Sequence, residues 1–249
     1  MELTDLLSLP KLEDCKSLLC VQPHPDDNEV GAGATIAKLS AKGCKVTYLT
    51  VTDGRMGSVD PKQDQAELVS IRKKEVEQSA ELLGVSDTIF LSFRDGDYSD
   101  EKQLCKSIVA VIRQVKPEIV LTVDPFLPYE FHPDHRKVGM ATAQACMFGA
   151  FPNFLPDEKT KDTWAVRGIA FHTTAYPNTF LNVDDTWDLK MKSLSLHKSQ
   201  FDAASLQRVG YYFDFKARGY AQGKGFTRAE AFKVLSPDCL HMFVDAINI

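Results

Sequence analysis

The chain has 249 residues, 44% of them hydrophobic, with 34 acidic against 29 basic side chains and a formal net charge of −5. That balance argues against nucleic acid or an anionic membrane as the main partner, and no apolar run approaches the roughly 20 residues of a membrane span. The length suits one large core, so a single domain over 1–249 is expected.

In chain order, residues 1–11 contain Glu2 and Asp5 and lack the basic-then-apolar order of a signal peptide, so they read as a short docking arm. The apolar run 17–21 predicts a buried strand. Small and apolar residues at helical spacing predict a helix over 30–41, closed by Gly43. A β-branched strand over 44–51 leads into the glycine-containing loop 53–58. Next come an amphipathic helix over 65–83 ended by Gly84, a strand over 88–93 and a loop over 94–97. A helix over 101–115, a strand over 118–123 and the loop 124–131 follow. Pro133 suits the first position of a helix running to about 147. Beyond it lie a Pro-rich excursion (149–163), a strand (168–174), helices over 187–197 and 208–219, and an irregular stretch over 232–243. Six cysteines (15, 20, 44, 105, 146 and 239) show no CxxC spacing and read as free, buried thiols of a reducing cytoplasm.

Strand and helix alternate four times, which predicts an α/β fold with a Rossmann-like, mostly parallel sheet flanked by helices. Right-handed crossovers bring the loops after the first four strands to one edge. Those loops carry His24, Asp26 and Asp27; Asp53 and Arg55; Arg94 and Asp95; and His132, Asp134 and His135. Half of the six histidines therefore converge where open α/β sheets bind ligands.

Two adjacent carboxylates beside a histidine repel one another unless a cation offsets them. His24, one aspartate and a histidine from the fourth loop make a two-histidine, one-carboxylate set with an open position for water, the catalytic arrangement for zinc. The other aspartate is left as a general base. The blander reading is that Asp26 and Asp27 only cap the following helix. Asp134 suits both the helix dipole and the fixing of an imidazole tautomer. Gly31-Ala32-Gly33 mimics a dinucleotide fingerprint, but Ile36 takes the third glycine position and the acidic turn would repel a pyrophosphate. From the residues alone Arg72 reads as a solvated or i,i+3-paired helix charge. His172 and His197 read as satisfied interior histidines, and the aromatics of 211–215 as core or interface packing. The same ligand set also describes a non-haem Fe(II) oxygenase; alternating α/β order weakens that alternative.

Pro23-His24-Pro25-Asp26-Asp27-Asn28-Glu29 and His132-Pro133-Asp134-His135 together resemble the LmbE/PIG-L family of zinc-dependent N-acetylglucosamine deacetylases. The likeness continues through Thr52-Asp53-Gly54, Arg72-Lys73-Lys74-Glu75, Leu82-Leu83-Gly84-Val85 and His197-Lys198-Ser199-Gln200. Residues 52–57, 93–95, 124–135 and 199–201 resemble the diacetylchitobiose deacetylase branch most. Ala34 departs from the glycine more usual at that helix start. The resemblance implies the LmbE/PIG-L deacetylase fold, zinc on His24, Asp27 and His135, and Asp26 as general base. It further implies His132, oriented by Asp134, as proton donor or substrate holder, Arg72 and Asp95 as sugar contacts, and His241 as an oxyanion contact. A small amino-sugar substrate and a homohexamer are implied as well. GlcNAc-malate is the alternative substrate.

Overall fold

The computed structural model describes residues 7, 9–97, 100–155, 162–243 and 246–249. Its main elements, in order, are β1 (Ser17–Gln22), α1 (Asp27–Ala41), β2 (Lys45–Thr52), α2 (Gln65–Leu82) and β3 (Asp87–Phe93). They continue with α3 (Glu101–Val115), β4 (Ile119–Val123), α4 (Pro133–Phe148), β5 (Gly168–His172), β6 (Thr179–Asn182), α5 (Trp187–Leu194), α6 (Ala203–Ala221) and β7 (Ala229–Leu235). The seven strands form one mixed sheet in the order β3-β2-β1-β4-β5-β7-β6. The first five run parallel; β7 is antiparallel to β5 and β6.

Helices cover both faces because the central strands are apolar on both sides. Leu18 and Cys20 of β1 join the core beneath Ile36 and Leu39 of α1 and Val76 and Ala80 of α2. Leu19 and Val21 point the other way, into the core of α3 and α4 with Ile108, Ile112 and Val138. This period of two explains why the run reads as a buried strand rather than a helix. Chain order reverses between β1 and β4, the switch point where such sheets open a crevice.

The expected docking arm falls mainly on residues 1–6 and 8, and part of the Pro-rich excursion on 156–161, outside the described residues. All six cysteines are free and buried. The stretch expected to be irregular begins instead inside a strand, β7, which is buried throughout. Glu230 and Lys233 break its apolar run, which hides it from a pattern search. Both are nevertheless buried, Glu230 against Lys190 and Lys233 donating to the carbonyl of Ile249. The four-residue β6 was too short to signal itself. α5 stops at Leu194, and the chain turns so that His197 enters the interior. α6 starts earlier than its periodicity suggests, because Asp202 caps it by accepting from the Ser205 amide at 2.7 Å.

Candidate active site

The β1–α1 turn has a strained backbone at its centre. Asp26 adopts φ 127°, a conformation that L residues rarely take and that functional sites often hold. It precedes α1 without making a side-chain capping bond, which removes the capping explanation for this aspartate. Asp27 is differently engaged. Its Oδ2 accepts from the His24 amide at 2.8 Å and lies 3.3 Å from His24 Nδ1, while Oδ1 lies 3.4 Å from His135 Nε2. One carboxylate thus faces an imidazole from each side of the switch point.

The β4–α4 loop supplies the remaining histidines. His132 is the N-cap of α4, accepting the Asp134 amide on Nδ1 at 3.3 Å, with Pro133 in the first turn as expected. The rings of His24 and His132 are 4.5 Å apart and those of His132 and His135 are 5.0 Å apart. One ring nitrogen of each of His24, His132 and His135 falls within 4.8 Å of the others, as do donors from His24, Asp95 and Asp134. His132 therefore sits inside the donor cluster, not only beside it.

Asp134 takes a different partner from the one expected. Its carboxylate lies 3.2 Å from His24 Nε2 and accepts the Gly96 amide at 3.0 Å, so the imidazole it orients belongs to His24 rather than His132. Asp95 Oδ1 also approaches His24 Nε2 at 3.3 Å, and its Oδ2 accepts the Met56 amide at 3.0 Å, tying the β2 and β3 loops together. Glu130, which lies in the 124–135 stretch but was given no role there, holds His135 from outside: its Oε2 lies 3.0 Å from Nδ1. Its position three residues before Pro133 was the available signal.

Arg72 corrects the reading made from its local pattern. It is 3% exposed, not solvated. Its guanidinium donates to the carbonyls of Gly54 at 2.9 Å and Pro25 at 2.8 Å, and lies 3.4 Å from Asp26 Oδ2. His197 and His172 are interior residues as expected, but not fully satisfied ones: His197 Nδ1 and His172 Nε2 are buried without a hydrogen-bond partner. His197 Nε2 faces the Ser79 hydroxyl at 3.2 Å, and that hydroxyl donates to Glu29 at 2.6 Å. His172 ends β5 and packs its ring on Gly31, so close that a Cβ there would lie 2.0 Å from Nδ1. His241 is exposed, follows the 3-10 turn Pro237–Leu240, and has no side-chain hydrogen bond to the cluster. Tyr211, Tyr212 and Phe215 are exposed, which excludes core packing within the chain.

The electrostatics separate the two aspartates. Burial pushes Asp26 up to about 7, with Arg72 opposing and Asp27 adding to the rise. Burial alone would raise Asp27 too, but His135 and His24 hold it well below the usual carboxylate range. For His24, burial acts downward, yet Asp134, Asp27 and Asp95 outweigh it and carry the ring up to about 12. A proton on His24 thus settles a crowd of carboxylates. A divalent cation meets the same need with the ring as a donor, so this donor set fits a metal ion.

Comparison with known proteins agrees with the geometry. The family described as PIG-L, GlcNAc-PI de-N-acetylase, matches residues 19–146. The chain is 37% identical to a diacetylchitobiose deacetylase of Thermococcus kodakarensis over 92% of its own length and 86% of the relative's. It is 31% identical to a probable N-acetyl-alpha-D-glucosaminyl L-malate deacetylase 2 of Bacillus cereus, over 76% of this chain and 85% of that one. Among solved structures it resembles an N,N'-diacetylchitobiose deacetylase from Pyrococcus horikoshii with TM-score 0.89 and 33% identity, over 96% of this chain and 92% of the other. The chain belongs to the PIG-L (LmbE) de-N-acetylase family.

Proposed function

We propose that the protein is a metal-dependent carbohydrate N-deacetylase. It hydrolyses the acetamide of a small GlcNAc-containing sugar, N,N'-diacetylchitobiose before others, to acetate and a free amine. The observation that carries this reading is the division between two neighbouring aspartates: Asp27 is engaged by His24 and His135, while Asp26 faces Arg72 with its pKa near 7. That is a ligand beside a general base whose pKa suits neutral pH. The similarity to two diacetylchitobiose deacetylases supports the substrate.

His24, Asp27 and His135 would hold zinc, with His132 within donor distance. Zinc held there would supply Lewis acidity and lower the pKa of water to about 7. Asp26 takes the proton of the water that attacks the acetamide carbon. Arg72 fixes that carboxylate and anchors the turn through the Pro25 and Gly54 carbonyls, so little reorganisation accompanies the transfer. The proton then passes from Asp26 to the nitrogen, directly or relayed through His132, as the C–N bond breaks and acetate leaves. Arg72 and Asp95, expected as sugar contacts, are buried and bonded within the chain, so their proposed part is to position the site, Asp95 through His24 and the Met56 amide; His241 is read as an oxyanion contact. Zinc is proposed as the native metal, although ferrous iron accepts the same donors. A homohexamer in a reducing cytoplasm completes the reading; no helix among the described residues is long and apolar enough to cross a membrane.

The Bacillus cereus relative supports a second substrate, GlcNAc-malate, with the same chemistry. Acetate and free-amine release from diacetylchitobiose, GlcNAc and GlcNAc-malate, each repeated after chelation, separates the readings. Chelator-sensitive release fastest from diacetylchitobiose is expected. A preference for GlcNAc-malate transfers the activity to the second substrate, and no release from any of the three contradicts both.

A further inference from the structure

We propose that Glu130 is the positioning residue of the metal centre: its carboxylate fixes the orientation and tautomer of His135 and sets the place of His132. The inference rests on the metal-dependent reading given above. Glu130 Oε2 lies 3.0 Å from His135 Nδ1, and Oε1 accepts the His132 amide at 2.7 Å. One side chain therefore holds both histidines of the β4–α4 junction. Its own backbone carbonyl is fixed in turn by Arg136, whose guanidinium donates to it at 2.8 Å.

A carboxylate at this distance is an acceptor, so Nδ1 of His135 carries the hydrogen. The remaining nitrogen, Nε2, then points its lone pair toward the crevice, where Asp27 Oδ1 lies 3.4 Å away. Metal-binding histidines generally make such an outer bond to a carboxylate, which fixes the ring and raises its basicity. Asp134 does the comparable work for His24, at 3.2 Å. Each of the two histidines facing Asp27 thus has its own carboxylate: Asp134 from inside α4, Glu130 from the loop before it. The plainer role for Glu130 is a loop staple, since the bond to the His132 amide by itself would order the turn. The two roles differ in what they act on. A staple affects folding, whereas a positioning residue also affects the hold on the metal.

The test loads purified protein with Zn²⁺ and follows its transfer to a chromophoric chelator, with thermal melting recorded alongside. For Glu130→Ala, zinc is expected to leave about 10–100-fold faster than from the wild type. Glu130→Gln, which keeps the length and an acceptor oxygen but loses the charge, should fall between. Arg136→Gln, which removes the anchor on the Glu130 carbonyl but leaves the carboxylate, should release zinc faster than the wild type and slower than Glu130→Ala. If the wild type holds zinc and both Glu130 variants release it equally slowly while melting lower, Glu130 is only a staple and the inference is overturned. If the wild type itself retains no zinc, the metal-dependent reading fails and the inference falls with it. The two failures are thereby told apart.

Discussion

Two buried polar groups lie along α1, and they solve opposite problems. Midway along the helix, Lys190 and Glu230 form a matched pair, each about 5% exposed or less, with Nζ and Oε1 2.6 Å apart. Both oxygens of Glu230 are engaged. Lys190 also donates to the Val30 carbonyl at 2.8 Å, and Glu230 accepts the amides of Ala34 and Thr35. At the helix start, Asp27, Asp95 and Asp134 gather around His24, more carboxylates than that one ring can match, while Asp26 faces Arg72. Both groups are buried and charged, so burial does not distinguish a site from a structural pair. The unmatched charge does.

The comparison breaks most visibly at the matched pair. Lys190→Met leaves Glu230 buried without its partner and should cost about 3–5 kcal/mol in urea unfolding, most of it recovered by the double change with Glu230→Gln. A single-variant loss below about 1 kcal/mol would show that Glu230 does not need its partner. Gly31→Ala tests the boundary between the two groups, since its Cβ would meet the His172 ring at 2.0 Å. Thermal melting should report a loss of about 1–3 kcal/mol.

Acid should act on the interior histidines. Burial lowers His172 to about 3 and His197 to about 4. Both native pKa values lie below the unfolded value near 6.5, so the unfolded chain binds protons that the native state refuses. Their contribution is complete above pH 6.5 and is lost as the pH falls to about 4 for His197 and to about 3 for His172, at up to about 1.4 kcal/mol per unit for each ring. Glu29, raised by burial to about 8, acts with the opposite sign at higher pH. The stability difference between the wild type and His197→Gln should therefore hold constant from pH 6.5 to about 7 and shrink as the pH falls from 6.5 to about 4; above that range Glu29, 3.7 Å from the ring, contributes as well. The smallest effect belongs to the surface: Tyr211→Ser and Phe215→Ser should change stability by no more than about 0.5 kcal/mol in a monomer. A larger, concentration-dependent loss would place these exposed rings in an interface.

Much of this organisation was legible in the residues because short-range patterns carry it. Alternating strand and helix signals identify the sheet, and the turn after each strand shows which polar residues share an edge. Arg72 was misread locally because helical spacing cannot show that the β1 and β2 loops fold over its guanidinium and bury it. β7 was missed for a related reason: Glu230 and Lys233 look like surface charges until Lys190 and the Ile249 carbonyl arrive from distant parts of the chain. Glu130 and the partner of Asp134 belong to the same class, since their side-chain direction, in the loop and in the first turn of α4, is set by tertiary contacts.

The central claim is that two adjacent aspartates divide the work, and the most direct measurement is zinc stoichiometry together with deacetylation turnover for Asp26→Asn and Asp27→Ala. The account predicts that Asp26→Asn keeps its zinc while turnover drops by about 10²–10⁴-fold, and that Asp27→Ala loses the zinc itself. Near-normal turnover in Asp26→Asn, or full zinc occupancy in Asp27→Ala, would contradict it.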